Sequence, residues 1–270
     1  MKNITHHRYQ ECPPLKTGQT TSYQTGDDGD LEKGVDRDYT VLTAGQYAGT
    51  TNITINGKTH ALSNNCVNDN RTGLMWARYV PTADIGPATD GKLFWKQYTI
   101  TGESVTFDQA GKTITAAAGT PFDTGALCAG RKFTVSGTVS NDGTYTVASI
   151  ADDVITTVEA LADEGPIATD FATVDDLIWD ALDQANANSL GGYDDWRIPN
   201  HFELAAVIDL GNYNPSIDTT VFPSTPAQYH WASSTPPETS PSAFVVHFCY
   251  GYISYVNKAA NDNYIRLVRG

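Results

Sequence analysis

Three residues near the end of the sequence could do chemistry. His230 and His247 offer imidazoles that serve as general base or metal ligand, and Cys249 offers a thiol. No G-x-S-x-G or comparable nucleophile motif accompanies them. Cys12, Cys66, Cys128 and Cys249 form no C-x-x-C pair and have no His at ligand spacing, so they read as free thiols and not as a zinc site or a disulfide framework. A protein that is not an enzyme is the expectation. The acidic run Asp27-Asp28-Gly29-Asp30 presents hard oxygens on a tight turn, which suits a structural calcium ion, yet it lacks the alternating acids, central Gly and closing Glu of an EF-hand. A solvated turn is the competing reading. No cofactor is expected beyond such an ion.

The segment that contains His247 and Cys249, "AFVVHFCYGYISYVNKAANDNYIRLVRG", alternates like a strand. With a period of two, Val246 and Phe248 share a packing face, while Val245, His247 and Cys249 point the other way. Gly251 marks a turn, after which Ile253 resumes the apolar side and Tyr252, Ser254 and Tyr255 alternate against it. Two readings stand side by side: an edge hairpin with ordinary aromatic cross-strand pairs, or a displayed surface of rigid aromatics that bind at low entropic cost.

The elements that must position this segment come from the rest of the chain. Its 270 residues and 40% hydrophobic content allow one substantial core or two smaller ones. The formal charge of −14, from 17 Lys and Arg against 31 Asp and Glu, repels phosphate backbones and anionic lipid, so nucleic acid and membranes are excluded as expected partners. The start "MKNITHHRYQECPPLKTGQ" has no apolar run of the signal-peptide kind, and no run of about 18 apolar residues exists to insert into a membrane. Residues 98–171 differ in texture from both flanks: "KFTVSG", "GTYTVASI" and "DVITTVEA" read as strands with Asn141-Asp142-Gly143 as a tight turn, which predicts an inserted all-β module. A helix is predicted from Thr173, with Asp176 in capping-box spacing and Val174, Leu177, Ile178, Ala181, Leu182 and Ala185 on one face. A second begins at Asn200 with Glu203 in the same spacing, has Phe202, Leu204, Ala205, Val207 and Ile208 as its apolar side, and stops at Gly211. The fold class expected is α+β.

Five segments, "LKTGQTTSYQTGDDGD", "NDNRTGLMW", "WDALDQANANSLGGYDDWRIPNHFEL", "HWASST" and "YIRLVRG", occur in an order that resembles the C-terminal domain of collagen-like bacterial adhesins. The resemblance covers residues 15–97 and 172–270, and implies a C-type-lectin-like domain related to formylglycine-generating enzymes. Residues 1–97 are then its first half with an extension, 98–171 the insertion, which resembles small β modules of phage structural proteins, and 172–270 its second half. Trp76, Trp196 and Trp231 are expected in the core, with sugar stacking as the alternative for Trp76 and Trp231. Formylglycine-generating enzymes depend on closely placed cysteines, and here only Cys249 follows Cys128.

The C-terminal segment is also similar to variable proteins of diversity-generating retroelements, in which adenine-directed change of Asn codons yields Tyr, His, Phe, Cys, Ser and Asp. This likeness implies a binding surface of His230, Ala232, Phe244, Val245, His247 and Cys249, continued by Tyr250, Tyr252, Ser254, Tyr255, Asn257, Asn261 and Asn263. The partner it implies is a protein or glycan receptor on a cell surface, met by a phage- or prophage-associated subunit that forms an oligomer or is attached to a larger particle. Location is then on a virion, or outside the cell by a non-classical route. The same residues on an adhesin of fixed specificity would bind glycan.

Overall fold

The computed structural model describes residues 14–55, 58–80, 91–117, 122, 126–127 and 129–270. Cys12 and Cys128 lie outside them. The first part of the chain makes α1 (Asp28–Leu31), β1 (Tyr39–Leu42), β2 (Thr50–Ile55), β3 (Lys58–Ser63), β4 (Cys66–Asp69), β5 (Met75–Ala77) and β6 (Leu93–Phe94). Next come β7 (Thr99–Asp108), β8 (Thr113–Ala116), β9 (Lys132–Ser136), β10 (Gly143–Ala151), β11 (Val154–Thr157) and β12 (Glu164–Thr173). The last part contains α2 (Ile178–Ala187), α3 (His201–Ala206), β13 (Tyr229–Trp231), β14 (Ser242–His247), β15 (Tyr252–Asn257), β16 (Asp262–Asn263) and β17 (Val268–Arg269). The fold is α+β, mostly β.

β7 to β12 close into a six-stranded barrel in the order β10-β11-β8-β7-β12-β9. Alternation explains its interior: Val105 and Phe107, Ile114 and Ala116, Phe133 and Val135, and Tyr145 and Val147 are inward pairs two residues apart on their strands. The chain enters and leaves at one point, where the Thr173 amide donates to the Tyr98 carbonyl and the Tyr98 amide to Thr173 Oγ1, both at 2.9 Å. Asn141-Asp142-Gly143 is not a tight turn by itself. It ends a longer connection in which Asp142 accepts from the Thr138 amide and hydroxyl, and the buried Asn141 side chain bonds Ala162 and Glu164.

Outside the barrel, β1, β4, β5 and β17 form one sheet in the order β1-β4-β5-β17, so the end of the chain completes a sheet begun near its start. Val268 pairs with Trp76. The buried Arg266 guanidinium donates to the carbonyls of Ala77 and Arg78 at 2.8 Å and to Thr225 Oγ1 at 2.6 Å, which fixes "YIRLVRG" against the same region. Trp76, Trp196 and Trp231 are all buried, and the Trp196 indole donates to the Leu190 carbonyl at 2.8 Å.

The helices differ from expectation at their ends. α2 begins at Ile178 with Leu177 at its cap position and no side-chain cap. Thr173 instead ends β12, and Leu177 bridges to Phe94, so residues 173–177 are held extended and the capping spacing there has no helix to cap. Ile178, Ala181 and Ala185 are buried as expected. α3 has its capping box: Asn200 Oδ1 accepts from the amides of Phe202 and Glu203, and Glu203 accepts from the Asn200 amide. It ends at Ala206, short of Gly211, and Phe202 is 73% exposed, because the core meets only the side that carries Leu204 and Val207.

The acidic run forms α1. Asp27 caps it by accepting from the Asp30 amide, and accepts the amides of Tyr23 and Gln24 as well, while Asp30 accepts from Gly26. Among the described residues no group of three or more His, Cys, Asp or Glu is placed to hold a metal ion, and no helix is long and apolar enough to cross a membrane.

Candidate functional site: an aromatic face on the terminal sheet

β13, β14 and β15 form a three-stranded antiparallel sheet with β14 in the middle and β15 at an edge. β14 lies between two cores. Ala243 and Val245 belong to one, with Trp231, Ile178 and Trp196, whereas Val246 and Phe248 belong to the other, with Leu204, Phe222 and Ala232. The expectation that one face packs and the other displays is therefore corrected: along most of β14 both faces are covered. Only at the end, where His247 leaves the cores, does a side chain of the Val245 face reach the surface.

The register there places three rings in a row. Tyr229 pairs with His247, and His247 with Tyr252, so all three share one face. The His247 ring is parallel to Tyr252, with centroids 5.2 Å apart and planes within 2°, and edge-on to Tyr229 at 4.4 Å. The hydroxyls of Tyr229 and Tyr252 bond at 2.7 Å. Tyr250, in the turn that closes at Gly251, stacks on His247 at 5.3 Å, and Tyr213 lies 6.0 Å from Tyr250. The stripe runs Tyr213, Tyr250, Tyr252, His247, Tyr229, with Tyr250 touching both Tyr252 and His247. Tyr213 is 70% exposed, Tyr250 59% and Tyr252 41%. Desolvation holds His247 below the ordinary imidazole range, so the ring stays neutral and adds to the apolar surface.

Phe244 and Tyr255 do not join this stripe. They pair with each other three residues away from the His247–Tyr252 pair, which puts them on the opposite face. There Phe244 stacks on His201 at 4.3 Å and meets Tyr255 edge-on at 6.5 Å, with Phe202 beside His201. The expected single surface is two surfaces on either side of β15.

Four expected surface residues lie inside. His230, Ala232 and Val245 are fully buried and Asn263 nearly so, because β13 also bridges Tyr264 and is covered on both sides. His230 Nδ1 donates to the Gln228 carbonyl at 3.1 Å, which leaves Nε2 as a buried acceptor without a partner. Burial, helped by the Arg266 charge, pushes its proton affinity down to about 3. It is a neutral core histidine. Asn257 and Asn261 shape the turn after β15, where Asn257 Oδ1 accepts the amides of Ala259 and Ala260 and its carbonyl accepts from Asn261. Cys249 and Ser254 are half-buried. Cys66 is buried, and desolvation pushes its thiol up to about 12, so it is unreactive.

Tyr213, Tyr229, His201, Phe202 and Ile253 were not in the expected set. Tyr229 was legible, since it alternates with His230 in "YHW"; Tyr213 carries no periodic signal and joins the stripe only through the fold.

A family model described as the Lcl C-terminal domain matches residues 65–269. The chain belongs to the Lcl C-terminal domain family. That family is the C-terminal domain of a collagen-like adhesin, so this is an adhesin-family domain. The matched Lcl span contains α2, α3, the terminal sheet with its aromatic stripe, and the barrel. No curated protein and no solved structure matches the chain.

Proposed function

We propose that this Lcl-family domain is a non-enzymatic receptor-binding module, and that the stripe from Tyr213 to Tyr229 is its contact surface. The observation that carries the reading is the mutually stacked group Tyr250, His247 and Tyr252 on one face of the terminal sheet, with both tyrosines exposed. Soluble surfaces seldom collect large rings in one patch without a partner, and stacked rings lose little freedom when they bind. The rings already support one another, so the surface is formed before it meets its partner. The scaffold is read as C-type-lectin-like, carried by a phage- or prophage-associated particle, with the ring positions open to diversification. Its partner on that reading is a protein receptor on a cell surface.

A second reading, a glycan bound at a fixed site, is supported by the polar cleft that begins at Asn212, next to Tyr213. Adsorption of the purified chain to candidate host cells tests the first reading. Tyr250→Ser with Tyr252→Ser should abolish it while the melting temperature holds; undiminished adsorption would remove the stripe from consideration. A near-duplicate of the coding segment for residues 229–270 beside a reverse-transcriptase gene, differing mainly at adenines, tests the diversification.

A further inference from the structure

The two edges of the terminal sheet differ. At the outer side of β13 the Trp231 amide donates to the Tyr264 carbonyl at 2.8 Å and the Tyr264 amide to the Tyr229 carbonyl at 3.1 Å, so that edge is closed. β15 has no such cover. On β14 the Phe244 carbonyl accepts from the Ala232 amide and the Phe248 amide donates to the Gln228 carbonyl, so alternation turns the main chain of Val245 and His247 toward β15. Their partners Ser254 and Tyr252 turn inward to meet them, which leaves the amides and carbonyls of Ile253 and Tyr255 pointing out. Among the described residues no backbone bond takes these groups up.

Nothing in the strand guards this edge. Natural edges are blunted by lysines, prolines or bulges. "YISYVN" has no charge, Pro or Gly, and its register with β14 runs unbroken from Tyr252 to Asn257. Its exposed side chains are large: Tyr252 on the face of His247, and Ile253 and Tyr255 on the face of Phe244. A formal charge of −14 keeps copies of the chain apart over much of their surface, but residues 250–257 carry no charge to bring together.

We infer that β15 pairs antiparallel with β15 of a second copy, about a two-fold axis at Ser254. The register selects this occupant. With Ser254 opposite its own copy, Ile253 and Tyr255 of one strand exchange both main-chain bonds with Tyr255 and Ile253 of the other, so the outward groups are satisfied reciprocally. The side chains agree: the small Ser254 meets itself where strands approach to about 4.5 Å between Cα atoms, and Ile253 faces Tyr255 in an aliphatic–aromatic pair on either side of the axis. An axis at Tyr252 would set Ile253 against Gly251, whose amide is already bonded to the His247 carbonyl. The axis is perpendicular to the sheet, so the two sheets become continuous and both aromatic stripes lie on the same face. The pairing goes beyond receptor binding by the stripe and does not depend on it.

The test uses the full chain. Sedimentation between about 1 μM and 1 mM should show a reversible dimer. Ser254→Lys, which sets like charges opposite each other on the axis, should raise its dissociation constant at least tenfold. Ser254→Cys under mild oxidation should form a disulfide between copies, located at position 254 by mass spectrometry, because the spacing at the axis suits that bond. Ile253→Cys, offset from its own copy, should not. A monomer throughout the range with no disulfide at position 254 overturns the inference. So does a dimer indifferent to Ser254→Lys, which would place the contact elsewhere, and so does equal cross-linking at positions 253 and 254, which would mean random encounter. Where Ser254→Lys does not fold, the comparison of the two cysteine variants decides.

Discussion

The guanidinium of Arg131 meets the carboxylate of Asp175 through two parallel bonds, Nε to Oδ1 at 2.8 Å and Nη2 to Oδ2 at 2.5 Å, with both side chains buried. Arg131 precedes β9 of the barrel, while Asp175 lies after the barrel has closed. The same guanidinium donates to the carbonyl of Ala259 at 2.8 Å and stacks 3.8 Å over the Phe94 ring. One side chain thus joins the barrel to the terminal region and to β6. Its fork geometry is what a lysine would lack.

Arg131→Ala should destabilise the protein by about 3 to 5 kcal/mol, because the buried Asp175 carboxylate would lose the guanidinium that meets it. Arg131→Met combined with Asp175→Leu should cost much less, since no charge is then stranded. Chemical denaturation of the wild type, Arg131→Met, Asp175→Leu and the double variant measures the coupling; losses in the two single variants that simply add in the double would show that the two side chains act independently.

Replacing residues 98–170 with a short Gly/Ser linker should leave a domain that unfolds cooperatively when Asp175→Asn is included. The chain enters and leaves the barrel side by side at Tyr98 and Thr173, so a short linker spans the gap without strain. Thermal melting reports the result, and a broad, non-cooperative melt would mean that the barrel is part of one indivisible core.

Tyr250→Ser with Tyr252→Ser should shift stability by less than about 1 kcal/mol in total, given the exposure of both rings. Phe248→Ala should cost about 3 to 5 kcal/mol, because that ring is fully buried against His230 and the second core. Denaturant titration separates the two; strong destabilisation by the tyrosine pair would reassign the stripe to the core.

Stability should fall as pH drops below about 6.5, the ordinary imidazole value, and go on falling toward 3. His230 is held neutral in the folded protein down to about 3, whereas in the unfolded chain it takes up a proton near its ordinary value. The unfolded state therefore binds more protons across this window. His230→Gln, which keeps a donor for the Gln228 carbonyl, should flatten part of this dependence between pH 6.5 and 4. Unfolding free energies at pH 7, 5 and 4 check it, and parallel curves for the two proteins would exclude His230 as a source.

Local chemistry made much of this molecule readable in advance. Asn200 and Glu203 specify the start of α3 through bonds made within four residues, and the alternating Val, Ile, Phe and Thr of the barrel strands specify which side faces inward. Four of the five motifs, in their order, fall on the span that the family model matches, whereas "LKTGQTTSYQTGDDGD" lies before it. What decides exposure is not local. A period of two says that Val245 and Val246 face opposite ways, but only the tertiary structure puts a core on each side of β14, buries His230 and Ala232 beside it, and leaves the His247 end uncovered. Likewise Thr173 and Asp176 match a helix start as sequence, and the fold overrides it by pairing the preceding strand into the barrel and bridging Leu177 to Phe94. Alternation fixes the direction of a side chain relative to its neighbours, whereas water or protein on that side is set by elements far away in the chain.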